Sequence, residues 1–135
     1  MLKLEVRDLD SPDLLDLDIE KPQDLLRFCI LVQASIGVQG ERGEDLFNFL
    51  VCTPAWLVDG LKTEGKIWGR HHLFVPEYDY DQILQAINEI CGKIEASDWE
   101  TAAHQLAWYT HWEFEDYREL EDYETAAVPD LAGVK

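Results

Sequence analysis

Four histidines, three cysteines and five tryptophans are the side chains of widest chemical range in this 135-residue chain. His71 and His72 are adjacent inside an extended stretch. Neighbouring strand side chains point to opposite faces, so the pair cannot chelate one metal ion together. His104 and His111 stand seven apart on the last helical stretch and have no cysteine or carboxylate at ligand spacing. The cysteines sit in apolar surroundings, Phe28-Cys29-Ile30, Val51-Cys52-Thr53 and Ile90-Cys91-Gly92. Their odd number and lack of ligand spacing suggest neither a disulfide framework nor a zinc site. Three buried, unreactive thiols in a reducing compartment are expected. There is no phosphate-cradling loop, no glycine-flanked nucleophilic serine and no cysteine with a plausible histidine partner. Carboxylates are too numerous for a catalytic pair to stand out. No catalytic residue, cofactor or metal is expected.

Charge is the more informative chemistry. Twenty-eight Asp and Glu against eleven Lys and Arg leave a net charge of −17 and a pI near 4.3. Such a surface repels nucleic acid and anionic membranes. It attracts a cationic partner, and steering of that kind raises association rates by roughly 10 to 1,000-fold at low salt. Residues 8–24 carry Asp8, Asp10, Asp13, Asp16, Asp18, Glu20 and Asp24. Residues 113–124 carry Glu113, Glu115, Asp116, Glu119, Glu121, Asp122 and Glu124, so half of all the acids lie in these two segments. Like charges at that density cost some stability, which a basic partner would relieve. The competing reading is an acidic surface that serves solubility alone.

These residues must be positioned by one domain, since the chain is long enough for an ordinary core and the apolar fraction of 47% is that of a folded protein. Residues 2–9 alternate as a half-buried strand, and residues 10–24 read as a solvated loop between Pro12 and Pro22. Residues 25–36 are apolar on both faces, as in a central strand. Gly37, Gly40 and Gly43 punctuate a hairpin loop, and residues 45–53 return with Phe47, Phe49 and Val51 on one face. Thr53-Pro54 is a helix start, with Thr53 as cap, and a short helix of about two turns should run from Pro54 to near Leu61 and stop before Gly65. A strand from Lys66 to Val75 completes a four-stranded antiparallel meander.

The remainder reads as helical. Tyr80, Ile83, Leu84, Ile87, Ile90, Cys91 and Ile94 form an apolar stripe. Ser97-Asp98-Trp99-Glu100 reads as a capping box with Ser97 as the cap. The helix it opens places Trp99, Ala103, Leu106, Thr110, Phe114 and Tyr117 on one side. On that wheel Trp108 and Trp112 lie about 180° and 220° from Trp99, beside Glu115 and Glu119. Two readings stay open: exposed aromatic anchors for a basic partner, or a helix buried on both sides. The fold class is α+β, with two C-terminal helices on one face of the sheet. Residues 118–135 form an acidic tail expected to fray. The candidate partner-binding residues are Trp108, Trp112, Glu115, Asp116, Glu119, Asp122, Asp16 and Asp18. No signal region or membrane-length apolar run is present, so the chain is expected in the cytoplasm.

Several stretches together resemble a known family. Ile36-Gly37-Val38-Gln39-Gly40-Glu41-Arg42-Gly43-Glu44-Asp45-Leu46-Phe47, continuing through Val51-Cys52-Thr53-Pro54-Ala55-Trp56-Leu57, is similar to the central block of the immunity protein 8 family. Trp112-Glu113-Phe114-Glu115-Asp116-Tyr117 resembles that family's C-terminal signature, with Pro76-Glu77-Tyr78-Asp79-Tyr80 in register between them. The resemblance covers most of residues 2–118. It implies a protein of a bacterial polymorphic-toxin or contact-dependent inhibition locus that binds and neutralises a toxin domain. Many such toxins are nucleases with cationic clefts, in keeping with the charge. An adaptor or secretion chaperone for a basic client is the alternative, and a small enzyme or metal binder using the histidines is the third reading.

Overall fold

The structure is a computed structural model and describes residues 1–114. Three strands form its centre: β1 (Leu4–Asp10), β2 (Cys29–Val38) and β3 (Asp45–Cys52), all antiparallel neighbours. The alternation in β2 and β3 sends Ile30, Val32, Ala34 and Ile36 to the same face as Phe47, Phe49 and Val51. A bulge at Arg7 shifts the β1 register between Val6 and Asp8. The extra residue lets Val6 and Leu9 both face the core, which strict alternation would forbid.

The bulged Arg7 holds the β2–β3 loop. Its guanidinium donates to the carbonyls of Gly43 (2.6 Å), Val38 (2.8 Å) and Glu41 (2.6 Å), and its Nε to Glu5 (3.1 Å). The loop itself needs positive φ at Gly40 (81°) and Gly43 (93°), a region that favours glycine.

After β3 comes α1 (Pro54–Glu64), capped as expected: the Thr53 hydroxyl accepts from Trp56 N, and Gly65 closes the helix at φ 82°. Thr53 does more than cap. It is fully buried, and its Oγ1 also accepts from Phe28 N at 3.2 Å, tying the start of β2 to the end of β3. Thr53→Ala should therefore cost about 2 kcal/mol, the loss of a cap plus a buried N–H left unpartnered, with Thr53→Ser recovering most of it. Chemical denaturation of the three proteins measures this, and equal midpoints would refute it.

The expected meander ends at α1. β4 (His72–Phe74) pairs with Leu50, Val51 and Cys52 in parallel, because the intervening helix carries the chain back to the start of a crossover connection. The long strand expected over 66–75 shrinks to three residues. His71 has φ 61°, which breaks extended backbone just ahead of His72, so the two histidines are not consecutive members of one strand.

α2 (Tyr80–Lys93) buries Ile83, Ile87 and Cys91 of its apolar stripe against the sheet. α3 (Trp99–Leu106) starts one residue later than a Ser97 cap would allow. Asp98 is the cap, its carboxylate accepting from Thr101 N (2.9 Å) and Thr101 Oγ1 (3.1 Å). The Thr101 backbone hydrogen bond, then its hydroxyl, hold the Asp98 pKa below the usual value. A carboxylate at a helix start gains from the helix dipole as well as the hydrogen bond, an advantage a serine lacks.

The helix expected to run on to Tyr117 is short, ending at Leu106. Thr110, fully buried, turns both its N–H (3.0 Å) and its hydroxyl (3.1 Å) onto the Leu106 carbonyl, which ends α3 in a tight turn. The chain then enters β5 (His111–Trp112), antiparallel to Phe47 and Asn48 of β3, on the edge that β4 occupies further along. Among the described residues the sheet thus has five strands, mostly antiparallel, with α2 and α3 sharing one core with its inner face. None of α1 is buried.

Candidate functional site

Of the two expected aromatic anchors, one is exposed and one is not. Trp108 lies in the turn after α3 and is 85% exposed. Trp112 was expected on the same outer helix face, but the helix has ended and β5 turns its indole inward. It stacks on Phe47 (centroids 6.5 Å apart, 12° between planes) and meets the edge of His104 at 5.3 Å. Its Nε1 donates to Asp45 Oδ2 at 3.0 Å, and the same oxygen accepts from Trp99 Nε1 at 2.7 Å. One carboxylate at the start of β3 thus holds two indoles, from α3 and β5, against the sheet edge. Nothing in the sequence singles out Asp45 for this, since its partners lie 54 and 67 residues away.

Trp108 stands at the mouth of a hollow of about 280 Å³ lined by His71, Leu73, Ile87, Ile90 and Tyr109. This is small beside the roughly 300–1,000 Å³ of small-molecule sites. The His71 and His111 rings come within 5.8 Å, a pairing the sequence spacing hid. Among the described residues no three His, Cys, Asp or Glu side chains are grouped to hold a metal ion.

Asp16 and Asp18 occupy the segment leading from β1, which is anchored rather than merely solvated. Leu17 between them is only 3% exposed, and the Tyr78 hydroxyl donates to its carbonyl. Asp13 Oδ2 accepts from Leu31 N at 2.8 Å, and Glu20 N donates to Asp16 O at 2.7 Å. Burying Leu17 forces its flanking carboxylates outward, and Leu15 (89% exposed) and Ile19 (72%) go with them. The sequence reading missed these two leucine-type side chains, although isolated aliphatics among six acids are a visible signal.

The electrostatics mark the same place. A hydrogen bond with Asp16, then burial, then the Asp16 charge push the Asp18 pKa upward. Tyr80 is raised by burial first and then by the charges of Asp18, Asp8, Asp81 and Asp16. Tyr78 is raised by burial, and by Tyr80, Asp18 and Asp16. Carboxylates from β1, the anchored loop and the first turn of α2 therefore converge into one acidic pole. It lies towards the β1 edge, whereas Trp108 follows α3 towards the β4–β5 edge, so the fold does not bring Asp16 and Asp18 together with Trp108. Glu115, Asp116, Glu119 and Asp122, with Tyr117 and the tail, lie outside the described residues.

The cysteines also depart from expectation. Cys52 and Cys91 are buried, but Cys29 is partly exposed, and Cys29 and Cys52 face each other across β2 and β3 with their sulfurs 3.4 Å apart. Burial pushes the Cys91 thiol up to about 11. No helix among the described residues is long and apolar enough to cross a membrane.

The family model for immunity protein 8 matches residues 4–117. No curated protein and no solved structure gives a significant match to the chain. The matched span holds the Gly37–Gly43 loop, Asp45, the Thr53-Pro54 helix start and the Trp112 strand, all of which carry contacts described above. On a match extending over most of its length, the chain belongs to the immunity protein 8 family.

Proposed function

We propose that this immunity protein neutralises a cationic toxin domain by stoichiometric binding without catalysis, with the acidic pole around Asp16 and Asp18 making first contact. Family membership makes the partner a toxin. The observation that carries the rest is the acidic pole itself: converging carboxylates on an anchored loop, with Leu15 and Ile19 projecting among them. Charge of that kind steers a basic surface, and adjacent aliphatics supply area to bury once contact is made. Trp108, exposed beside its hollow, is the candidate anchor, since tryptophan is enriched among residues that dominate binding energy. Glu115, Asp116, Glu119 and Asp122 join the same reading through their charge, and Trp112 has a structural duty to Asp45 and Phe47 before any partner arrives. A nuclease is the toxin class that fits best, because its cleft must be cationic to hold nucleic acid. The setting that fits is the cytoplasm of a bacterium carrying a polymorphic-toxin or contact-dependent inhibition locus.

The test is binding kinetics with the toxin domain encoded immediately upstream, together with inhibition of its activity. Association should slow about tenfold or more between low and physiological salt while dissociation changes little. Asp16→Asn with Asp18→Asn should reproduce part of the slowing without loss of stability, because exposed charges contribute little to folding. Trp108→Ala should instead raise the dissociation rate about 30-fold, the kinetic form of about 2 kcal/mol of lost anchoring. Salt-independent association, unchanged in the double variant, would refute the charge argument. Inhibition at far below one equivalent would refute stoichiometric binding.

A further inference from the structure

We propose that Cys29 and Cys52 form a modification site, a dithiol that closes to an intramolecular disulfide on exchange with a low-molecular-weight disulfide. The geometry comes from the hairpin register, which sets Cys29 directly opposite Cys52. Two residues further along, Leu31 and Leu50 turn their N–H groups away from each other, to Asp13 (2.8 Å) and to the His71 carbonyl (2.9 Å). Thr53 N donates to Phe28 O (3.2 Å) on the other side of the cysteine pair. Both observations make Cys29–Cys52 a non-hydrogen-bonded pair, the narrow kind, with Cα atoms about 4.5 Å apart. That separation falls in the range of about 4.4–6.8 Å that a disulfide spans. The sulfurs, already 3.4 Å apart, need only approach to about 2 Å.

The two thiols also differ in the way exchange requires. Cys29 is partly exposed and Cys52 is fully buried, so a small disulfide reaches Cys29 first. The Cys52 S–H donates to the Cys29 sulfur, which lowers the Cys29 pKa and raises that of Cys52. Thiolate character at the accessible sulfur is what the attacking group needs.

The chemistry balances as two exchanges. The Cys29 thiolate attacks one sulfur of the small disulfide, forming a mixed disulfide and expelling one thiolate, which takes up a proton. Cys52 then loses its proton to solvent and attacks the Cys29 sulfur, expelling the second small thiolate. Two protein thiols are oxidised by two electrons, and one disulfide is reduced to two thiols. The product bond ties the entry of β2 to the exit of β3, immediately ahead of the Thr53 cap and α1. Cys91, on α2 within the core, takes no part.

The experiment is incubation of the purified chain with glutathione disulfide, an acid quench, and a thiol count after denaturation. The count should fall from three to one, with the mass two hydrogens lower and a peptide map joining Cys29 to Cys52 within one chain. The melting midpoint should rise by about 5 °C and return on reduction with dithiothreitol. Cys52→Ser should stop at the first exchange, gaining one glutathione at Cys29 and no thermal stability. If that variant does not fold, the parent protein's thiol count and peptide map still decide. Three thiols persisting, a stable glutathione adduct on the parent protein, or a bond that involves Cys91 or a second chain would each overturn the proposal.

Discussion

Asp45→Ala should destabilise the protein by about 3 kcal/mol, more than any other single carboxylate removed from its surface. The substitution takes the shared acceptor from two part-buried indole N–H groups, those of Trp99 at 2.7 Å and Trp112 at 3.0 Å. Hydrogen bonds to a charged acceptor contribute about 1.5–3 kcal/mol each, and partial access to water at both indoles places the combined loss near the lower end of their sum. Asp45→Asn keeps one acceptor oxygen and should lose about half as much. Urea unfolding followed by tryptophan fluorescence measures both, since the transition midpoint should fall while its slope stays constant. A midpoint equal to the parent's would show that the two indoles are held by stacking on Phe47 and packing alone. Trp112→Ala should also lose stability in the free protein, which distinguishes it from Trp108→Ala before any toxin is added.

Gly37→Ala should cost about 3 kcal/mol as well, through overpacking. A Cβ at position 37 would sit 2.5 Å from the Gly43 carbonyl oxygen and 2.6 Å from the Arg7 guanidinium carbon. One of these is backbone and the other is fixed by three carbonyls, so relief requires moving the loop or breaking the Arg7 contacts. Gly40 makes a sharp control. It carries φ 81° but has open space around its missing Cβ, so Gly40→Ala should cost only the strain of left-handed backbone, about 1 kcal/mol. Paired thermal or urea melts of the two variants should therefore differ severalfold in destabilisation. Equal losses would mean that loop strain, not the close approach at Gly37, governs this hairpin. A loss confined to Gly40→Ala would overturn the steric account altogether.

These two residues show how far local reading reaches. Gly37 and Asp45 are visible in the sequence as a turn glycine and an acid at the start of a strand, and neither type reveals its duty. The duty comes from Arg7, Trp99 and Trp112, which only the assembled sheet brings near. The elements themselves were legible where one short-range rule decided. Alternation in residues 45–53 chose the buried face, Thr53-Pro54 chose the helix start, and the stripe from Tyr80 to Ile94 chose the side of α2 that packs. The Ser97 cap failed by one residue because the adjacent Asp98 can cap a helix that starts one residue later by accepting the Thr101 N–H, and the carboxylate is the better partner at a helix start.

Charge and composition by themselves determined the acidic character, and the motifs around Gly37, Thr53 and Trp112 determined the family. Tertiary structure alone decided the rest. It made β4 parallel, because α1 turned a hairpin into a crossover. It ended α3 at Leu106, because buried Thr110 closes on that carbonyl, and so it sent Trp112 inward and left Trp108 exposed. It set Cys29 against Cys52, and it gathered Asp8, Asp16, Asp18 and Asp81 into one pole. The reason is common to all of these. Periodicity and capping act over three or four residues and can be read along the chain. Register across strands, and competition for buried volume between segments tens of residues apart, are settled only when the whole core closes.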